Sequence, residues 1–334
     1  MILKELRFYQ FSAKFKHPMI TRKIELESRQ TLFIGLIDEF NNEWFGECNA
    51  FETDWYHDET IKTVYQTLCE WFEKYKGVEL HTFEEAQYYI DSLNSRPAAR
   101  ATLVMALYQA FHNLGSFQVK MTSTINGDLS RRILNLEHAG RIKIKWNAHI
   151  VDQVKWISSM YPNIPISTDA NQSLDQDDIN QLKRLKKYHL AFIEEPFLDL
   201  DIIEESNELP TIAIDEKATT YQNILKLVHR YNIGVVVIKP FRVGGIDKAL
   251  QLIEYLQQKK VRIVIGGMYE LGLSRYFTAY LSQFGDFSGD VTPSGYYFTE
   301  DVVDESDLSK EGDILFHPPI VQKSRLKLMT TLKL

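Results

Sequence analysis

The spacing of hydrophobic and polar residues changes along this chain and predicts two regions of different structure. Residues 24–40 are rich in Ile, Leu, Phe and Thr and are followed by an Asn-Asn pair, so residues 1–51 are expected to form a meander or hairpin sheet. Apolar residues then recur every third or fourth position over 58–76 and 82–94, which predicts two amphipathic helices. We therefore expect a small α+β domain that ends near residue 95.

From Pro97, which opens a further predicted helix, short apolar runs alternate with helical stretches. Eight runs are candidate strands: 118–125, 141–146, 164–169, 190–195, 210–215, 234–240, 262–267 and a short piece that ends near Asp290. Regular alternation of this kind is typical of parallel βαβ units, and eight units favour a closed (β/α)₈ barrel. The alternative is a doubly wound open sheet, but the chain has no G-x-G-x-x-G after its first strand and no GxxxxGK[ST] motif.

Composition and charge exclude several classes of protein. With 44% hydrophobic and 25% charged residues, the chain is expected to be globular rather than disordered. Its net charge is −7 and it has no basic stripe, so nucleic acid is not an expected partner. The start of the chain lacks the apolar core of a signal peptide, and the apolar runs are too short for a bilayer, so no membrane partner is expected. A homo-oligomer is compatible with this composition.

The two cysteines, Cys48 and Cys69, are too few for a disulfide framework and lack the spacing of a zinc or redox motif. A reducing cytoplasm is therefore the expected location.

Charged residues stand at the ends of successive predicted strands. They are Lys143, Lys145, Asp169, Glu194, Asp215 and Lys239, and from Lys145 onward they are 24, 25, 21 and 24 residues apart. Each alone is explained by a solvated strand, a turn or a helix cap. Together they are expected to meet at one mouth of the barrel, where burial is costly unless opposite charges pair.

The residue types in this set predict metal-assisted proton transfer. Asp169, Glu194 and Asp215 offer only oxygen ligands, which suits Mg²⁺, and none of the nine histidines has metal-motif spacing. Lys143 and Lys145 are two apart in a strand and face the same way, and we expect neighbouring cations to lower a lysine pKa enough for base catalysis. Such a site can remove a proton next to a carboxylate and stabilise the resulting enediolate.

Six ordered motifs resemble those of the enolase superfamily, and more narrowly its muconate-cycloisomerase subgroup. They are K-I-K (143–145), D-A-N (169–171), I-E-E-P (193–196), I-D-E (214–216), I-K-P-F-R-V-G-G (238–245) and G-G-M-Y-E (266–270). The segment G-E-C-N-A-F-E-T-D-W-Y at 46–56 is similar to the capping-domain loop of o-succinylbenzoate synthases and the related N-succinylamino acid racemases.

The resemblance implies a (β/α)₇β TIM-like barrel over residues 96–309. It also implies an N-terminal α+β capping domain over 1–95, completed by the C-terminal tail at 310–334. In such a site Asp169, Glu194 and Asp215 bind Mg²⁺, Lys145 is the base, Lys143 tunes it, and Lys239 lies across the substrate.

The function implied is that of a Mg²⁺-dependent hydro-lyase of menaquinone biosynthesis. It would remove water from 2-succinyl-6-hydroxy-2,4-cyclohexadiene-1-carboxylate to give 2-succinylbenzoate, with Lys239 as a stabilising cation. The alternative is an N-succinylamino acid racemase or dipeptide epimerase, in which Lys239 is the second acid/base. A third hypothesis is a barrel that only binds a carboxylate ligand.

Several positions have open roles at this stage. Phe51, Trp55 and Tyr56 are expected either to cover a substrate ring from the capping loop or to belong to the core. Ser274 and Arg275 are candidates for contact with a succinyl carboxylate. Lys217 follows Asp-Glu where many relatives carry Ser, and we expect it to add a cation near the metal.

Overall fold

A computed structural model describes residues 1–21, 24–126, 136–188, 190–205, 208–304, 307–308 and 312–334. The strands in these ranges are β1 (Glu5–Ile20), β2 (Glu25–Ile37), β3 (Glu43–Glu47), β4 (Phe117–Lys120), β5 (Thr122–Ile125), β6 (Arg141–Lys145), β7 (Ile166–Asp169), β8 (Phe192–Glu194), β9 (Ile212–Ile214), β10 (Val235–Ile238), β11 (Arg262–Ile265), β12 (Asp307–Leu308), β13 (Asp313–Phe316) and β14 (Lys327–Lys333). The helices are α1 (Ile61–Tyr75), α2 (Phe83–Ile90), α3 (Pro97–Phe111), α4 (Ile150–Met160), α5 (Ile179–Leu185), α6 (Tyr221–Arg230), α7 (Pro240–Val243), α8 (Ile246–Gln258) and α9 (Gly272–Ser282).

The N-terminal region forms the predicted antiparallel sheet, with one strand added from the other end of the chain. Its order is β14-β1-β2-β3, so the C-terminal strand lies beside β1. The two predicted amphipathic helices are confirmed as α1 and α2. Helix α1 begins where Thr60 and Thr63 each bond to the other's backbone N–H, which satisfies two donors of the first turn.

Helix α3 begins at Pro97, as predicted, and it is buried on every side. Ten consecutive residues from Ala98 to Leu107 are buried, which is typical of a core helix. It packs so closely on β3 that a Cβ added at Gly46 would lie 2.0 Å from the carbonyl oxygen of Thr102. Glycine is therefore required at this point of contact.

Gly46→Ala is expected to destabilise the protein by about 1–3 kcal/mol, because the added methyl group forces β3 away from α3. The measurement is the urea midpoint of unfolding. Gly115→Ala is the matched control, since a Cβ there meets no atom within 4 Å. Equal midpoints for the two variants would show that the close contact between β3 and α3 does not contribute to stability.

Strands β5 to β11 form a parallel sheet in which neighbours along the chain are also neighbours in space. The segment 286–290 lies between its two edges. Asp290 N donates to Ile265 O at 2.9 Å, and Thr122 Oγ1 of β5 donates to Gly289 O at 2.7 Å. The curled sheet with its helices is the α/β fold that the sequence predicts.

The predicted eighth strand near Asp290 occupies the eighth position of this ring with little regular pairing. Within the described ranges it makes one isolated parallel bridge, between Gly266 and Asp290. The run Ser288-Gly289 offers few side chains that favour a strand, which explains the irregular backbone.

The predicted single strand at 118–125 is wrong, because it consists of two strands in different sheets. β4 pairs antiparallel with β13, whereas β5 pairs parallel with β6. Between them Met121 N donates to Gly312 O, so the backbone changes partner at this residue. No turn-forming residue marks this change in the sequence.

None of the helices in the described ranges has the length and apolar character needed to cross a bilayer. Cys48 and Cys69 are free thiols. The division into 1–95 with 310–334 and 96–309 stays a proposal, and its second boundary falls at residues 309–311, outside the described residues.

Candidate active site

The candidate site residues lie at the carboxyl ends of adjoining parallel strands. Lys145, Asp169 and Glu194 are the last residues of β6, β7 and β8, and the register pairs Lys145 with Asp169 and Asp169 with Glu194. Asp215 directly follows β9, and Lys239 directly follows β10. The structure therefore brings the predicted residues to one rim.

Lys143 lies among the carboxylates. Its ammonium donates to Glu194 Oε1 at 2.8 Å and lies 3.0 Å from Asp169 Oδ2 and 3.3 Å from Asp290 Oδ2. Burial opposes its charge, but these carboxylates outweigh burial and raise the pKa of Lys143 well above its ordinary value. The expectation that neighbouring cations lower a lysine pKa is wrong for Lys143, because the effect of Arg141 is smaller than that of the three acids.

Lys145 is the more exposed lysine of the pair. Its ammonium lies 2.5 Å from Asp169 Oδ2, the oxygen that Lys143 also contacts, so the two lysines face the same way as predicted. Its side chain is 34% exposed, against 9% for Lys143. A second hydrogen bond runs from Lys145 to Asn171 Oδ1 at 3.2 Å. Lys145 is therefore the ammonium of the two that a substrate can reach.

Asp215 and Lys239 form the opposite wall. In a ring of eight positions β6 and β10 are four apart, so Lys145 and Lys239 approach the mouth from opposite sides. The Lys239 ammonium donates to Asp215 Oδ2 at 2.9 Å and to the Tyr56 hydroxyl at 2.7 Å. Arg242 donates to Asp215 Oδ1 at 3.0 Å and also bonds to the Tyr56 hydroxyl.

The charges on this wall are mutually stabilised. Burial opposes ionisation of Asp215, but Lys239 and Arg242 outweigh it and hold the pKa of Asp215 below its ordinary value. Burial also opposes the charge of Lys239, yet Asp215 raises the pKa of Lys239 above its ordinary value. Lys239 is thus held as a cation.

The capping-loop aromatics divide between core and site. Phe51 is 5% exposed and lies under the Arg29 guanidinium, 4.3 Å from ring centroid to carbon. Trp55 packs between Phe51 and Tyr56, with ring centroids 4.8 and 5.2 Å away. The hydroxyl of Tyr56 accepts a hydrogen bond from Lys239 of the barrel.

Asp290 and Arg141 are site residues that the sequence analysis did not identify. Arg141 Nη2 donates to Asp290 Oδ1 at 2.5 Å, and the other oxygen of Asp290 faces Lys143. The available signal was the position of Asp290 at the end of the eighth run. Arg242 stands in the motif I-K-P-F-R-V-G-G, from which the sequence analysis took only Lys239 as a site residue.

Three further positions lie elsewhere than expected. Arg275 is buried against Asp301 at 3.0 Å, and Ser274 N donates to Glu47 of β3 at 2.8 Å, so these contacts serve packing of α9. Lys217 donates to Glu195 Oε1 at 2.7 Å and to a backbone carbonyl. It therefore neutralises Glu195 rather than adding a cation beside the three predicted ligands.

The carboxylates have the donor chemistry of a hard divalent cation. Glu194 Oε2 is buried without a hydrogen-bond partner. Burial and the charge of Asp169 raise the pKa of Glu194 to about 8. An uncompensated buried oxygen next to other carboxylates is what Mg²⁺ would stabilise, and the set contains only oxygen donors.

In this structure the three acids pair with lysine ammonium groups. Lys143 contacts both Asp169 and Glu194, and Lys239 holds Asp215. In the part of the chain that the structure describes, no three His, Cys, Asp or Glu side chains have metal-binding spacing. The donor set fits the cation, and the three acids would have to approach one another to share it.

A family model described as enolase C-terminal domain-like matches residues 128–327. The o-succinylbenzoate synthase of Bacillus subtilis is 29% identical over 90% of this chain and 88% of its own. That of Enterococcus faecalis is 26% identical over 93% of this chain and 92% of its own. The N-succinylamino acid racemase of Thermus thermophilus is 24% identical over 92% and 90%.

Solved structures show the same fold. An enolase-superfamily member from Listeria innocua superposes with a TM-score of 0.86 at 22% identity and covers 99% of this chain and 98% of its own. A dipeptide epimerase from Enterococcus faecalis, complexed with Mg and the dipeptide L-Leu-L-Tyr, gives a TM-score of 0.77 at 20% identity. It covers 98% of this chain and 100% of its own.

Proposed function

The chain belongs to the enolase C-terminal domain-like family, and from this premise we propose that it is a Mg²⁺-dependent o-succinylbenzoate synthase. It would convert 2-succinyl-6-hydroxy-2,4-cyclohexadiene-1-carboxylate into 2-succinylbenzoate in menaquinone biosynthesis. The o-succinylbenzoate synthases from Bacillus subtilis and Enterococcus faecalis, which match about nine-tenths of this chain, support the proposal.

One observation supports dehydration over racemisation: hydrogen-bond partners enclose the Lys239 ammonium, which suits a fixed positive charge. Its ammonium is buried and held by both Asp215 and Tyr56. A synthase needs a positive charge at this place, because charge accumulates on the substrate carboxylate as the proton leaves. A racemase instead needs the same nitrogen to release and accept protons.

The reaction assigns distinct tasks to the lysines. Lys145, as the neutral amine, takes the proton from the carbon next to the carboxylate, and the C–H electron pair moves into the enediolate. The same nitrogen then protonates the departing hydroxyl as the C–O bond breaks, so that water leaves from the face that Lys145 occupies. Lys239 balances the charge of the enediolate, and Lys143 keeps positive charge beside the acids.

Asp169, Glu194 and Asp215 are the residues that would hold Mg²⁺. Bound there, the ion would supply positive charge to the substrate carboxylate.

A spectroscopic assay tests the proposal. We expect the purified protein with Mg²⁺ and the cyclohexadiene substrate to form the aromatic product, and a chelator to stop it. Absence of product, together with exchange of the α proton of N-succinyl amino acids in deuterated water, would identify a racemase. Tight ligand binding without Mg²⁺ and without either reaction would identify a binding protein.

The second candidate is an N-succinylamino acid racemase or dipeptide epimerase. Its support is the placement of Lys145 and Lys239 on opposite sides of one mouth, which two-sided proton transfer requires. The racemase of Thermus thermophilus aligns over 92% of this chain.

Lys239→Arg separates the two candidates. If Lys239 serves as a fixed cation, arginine preserves the charge, and we expect dehydration to fall less than tenfold, whereas Lys239→Ala lowers it about 10²- to 10³-fold. The exposed Lys187→Arg is the control. Equal losses for Lys239→Arg and Lys239→Ala would contradict the fixed-cation role.

A further inference from the structure

The loop between β11 and α9 carries a strained residue beside the lysines. Tyr269 is a non-glycine residue with φ of +48°, a conformation that persists only where the surroundings hold it. The same loop passes so close to Lys239 that a Cβ on Gly266 would lie 3.0 Å from Lys239 Cε. The Tyr269 ring packs against Phe15 and Tyr297, with ring centroids 5.6 and 4.9 Å away. Burial raises the pKa of Tyr269, and the charges of Lys145 and Lys239 oppose that rise.

Arg29 of β2 holds the loop just before Tyr269. Its side chain is 1% exposed, and Nη1 donates to the carbonyl oxygen of Met268 at 2.9 Å. Nη2 donates to the carbonyl oxygen of Asn49 at 2.9 Å. The buried Arg29 guanidinium therefore links the N-terminal sheet to Met268, the residue before the strained Tyr269.

Glu47 of β3 holds the chain just after Tyr269. Its two carboxyl oxygens accept from the N–H groups of Leu271 and Ser274, each at 2.8 Å, and so cap the first turn of α9. Asn49 adds a bond from Nδ2 to Ser274 Oγ at 2.9 Å. The backbone is thus fixed on both sides of Tyr269 by one sheet.

We propose that Arg29, Glu47 and Asn49 are positioning residues that hold Tyr269 at the mouth and thereby set the geometry in which Lys145 and Lys239 meet the substrate. None of the three is within hydrogen-bond reach of the lysines in the contacts described above, so their effect is transmitted through the loop. The inference rests on the proposed function for its kinetic readout.

A double-mutant cycle tests this transmission. Glu47→Gln replaces one accepting oxygen with an NH₂ group, and Tyr269→Ala removes the side chain that is held. We expect each to lower kcat by about 10- to 100-fold through misplacement at the mouth. If Glu47 acts through Tyr269, the double variant has the kcat of Tyr269→Ala to within about twofold. Losses that multiply, or wild-type kcat for Glu47→Gln, would overturn the proposal.

Glu59→Gln is the matched control. Glu59 is also a buried carboxyl that accepts two helix N–H groups, those of Ala98 at 2.7 Å and Ala99 at 3.1 Å, but on α3. Its effect on kcat is expected to multiply with that of Tyr269→Ala. Equal coupling of Glu59 and Glu47 to Tyr269 would show a general loss of structure and overturn the specific role.

Hydrogen exchange separates this inference from the proposed reaction. Glu47→Gln should speed amide exchange in peptides covering 266–276 and leave 97–111 unchanged, whereas Glu59→Gln should do the reverse. Unchanged exchange at 266–276 in Glu47→Gln overturns the role of the sheet even if the enzyme is a synthase. If the wild type forms no aromatic product, the proposed function fails, while the exchange measurement still decides this inference. Should Glu47→Gln not fold, Asn49→Ala serves in both measurements.

Discussion

Lys145→Ala is expected to reduce formation of 2-succinylbenzoate by at least about 10³-fold, because it removes the group that both takes and returns the proton. The lysine lies 2.5 Å from Asp169 and is the exposed member of the pair, so its loss leaves the buried Lys143 in place. The measurement is single-turnover formation of the aromatic product at saturating Mg²⁺.

Lys145→Arg distinguishes proton transfer from charge. Arginine can pair with Asp169 but stays protonated, so we expect it to be as inactive as Lys145→Ala while it keeps the wild-type unfolding midpoint. Lys187→Ala, at an exposed surface position, is the control for substitution itself. Activity of Lys145→Arg near the wild-type level would mean that another group is the base.

Glu194→Gln is expected to weaken Mg²⁺ binding by about 100-fold or more, since second-shell losses alone cost 10- to 100-fold. The change removes a carboxyl group whose Oε2 is buried without a partner, so this side chain can no longer ionise to bind the cation. It also places an amide where a cation needs an anionic oxygen. Calorimetric titration with MgCl₂ measures the affinity without reference to turnover.

Glu254→Gln on the exposed side of α8 has the same chemistry far from the rim and should bind Mg²⁺ as the wild type does. Unchanged affinity in Glu194→Gln would exclude this carboxylate as a ligand, whatever the activity.

The rim residues could be predicted because the period of βα units fixes where strands end. One charged residue per unit, from Lys145 to Lys239, is enough to place them at one face once the sheet is parallel. The partner change at Met121 could not be predicted, since residues 117–125 contain no Gly, Pro, Asn or Asp that would separate β4 from β5. Which strand pairs with which depends on residues far apart in the chain, and the local hydrophobic pattern does not contain that information.

The remaining contacts depend on loops that the pattern does not describe. Tyr56 comes from the N-terminal region and meets Lys239 across 183 residues of chain, and Arg242 turns back to Asp215 from a short helix. The expected lowering of a lysine pKa does not hold for Lys143, because the sequence analysis weighed the neighbouring cations and not the acids that contact this ammonium. Asp290, on an irregular segment, adds a carboxylate that the sequence analysis did not count.

A crystal structure with Mg²⁺ and 2-succinylbenzoate tests most directly whether the metal, the base Lys145 and the cation Lys239 surround the substrate at one end of the barrel. We predict Mg²⁺ about 2.0–2.1 Å from oxygens of Asp169, Glu194 and Asp215. We also predict Lys145 Nζ about 3–3.5 Å from the ring carbon that bears the carboxylate, with Lys239 on the other face. Mg²⁺ bound away from these acids, or Lys145 turned from the ring, would contradict this prediction.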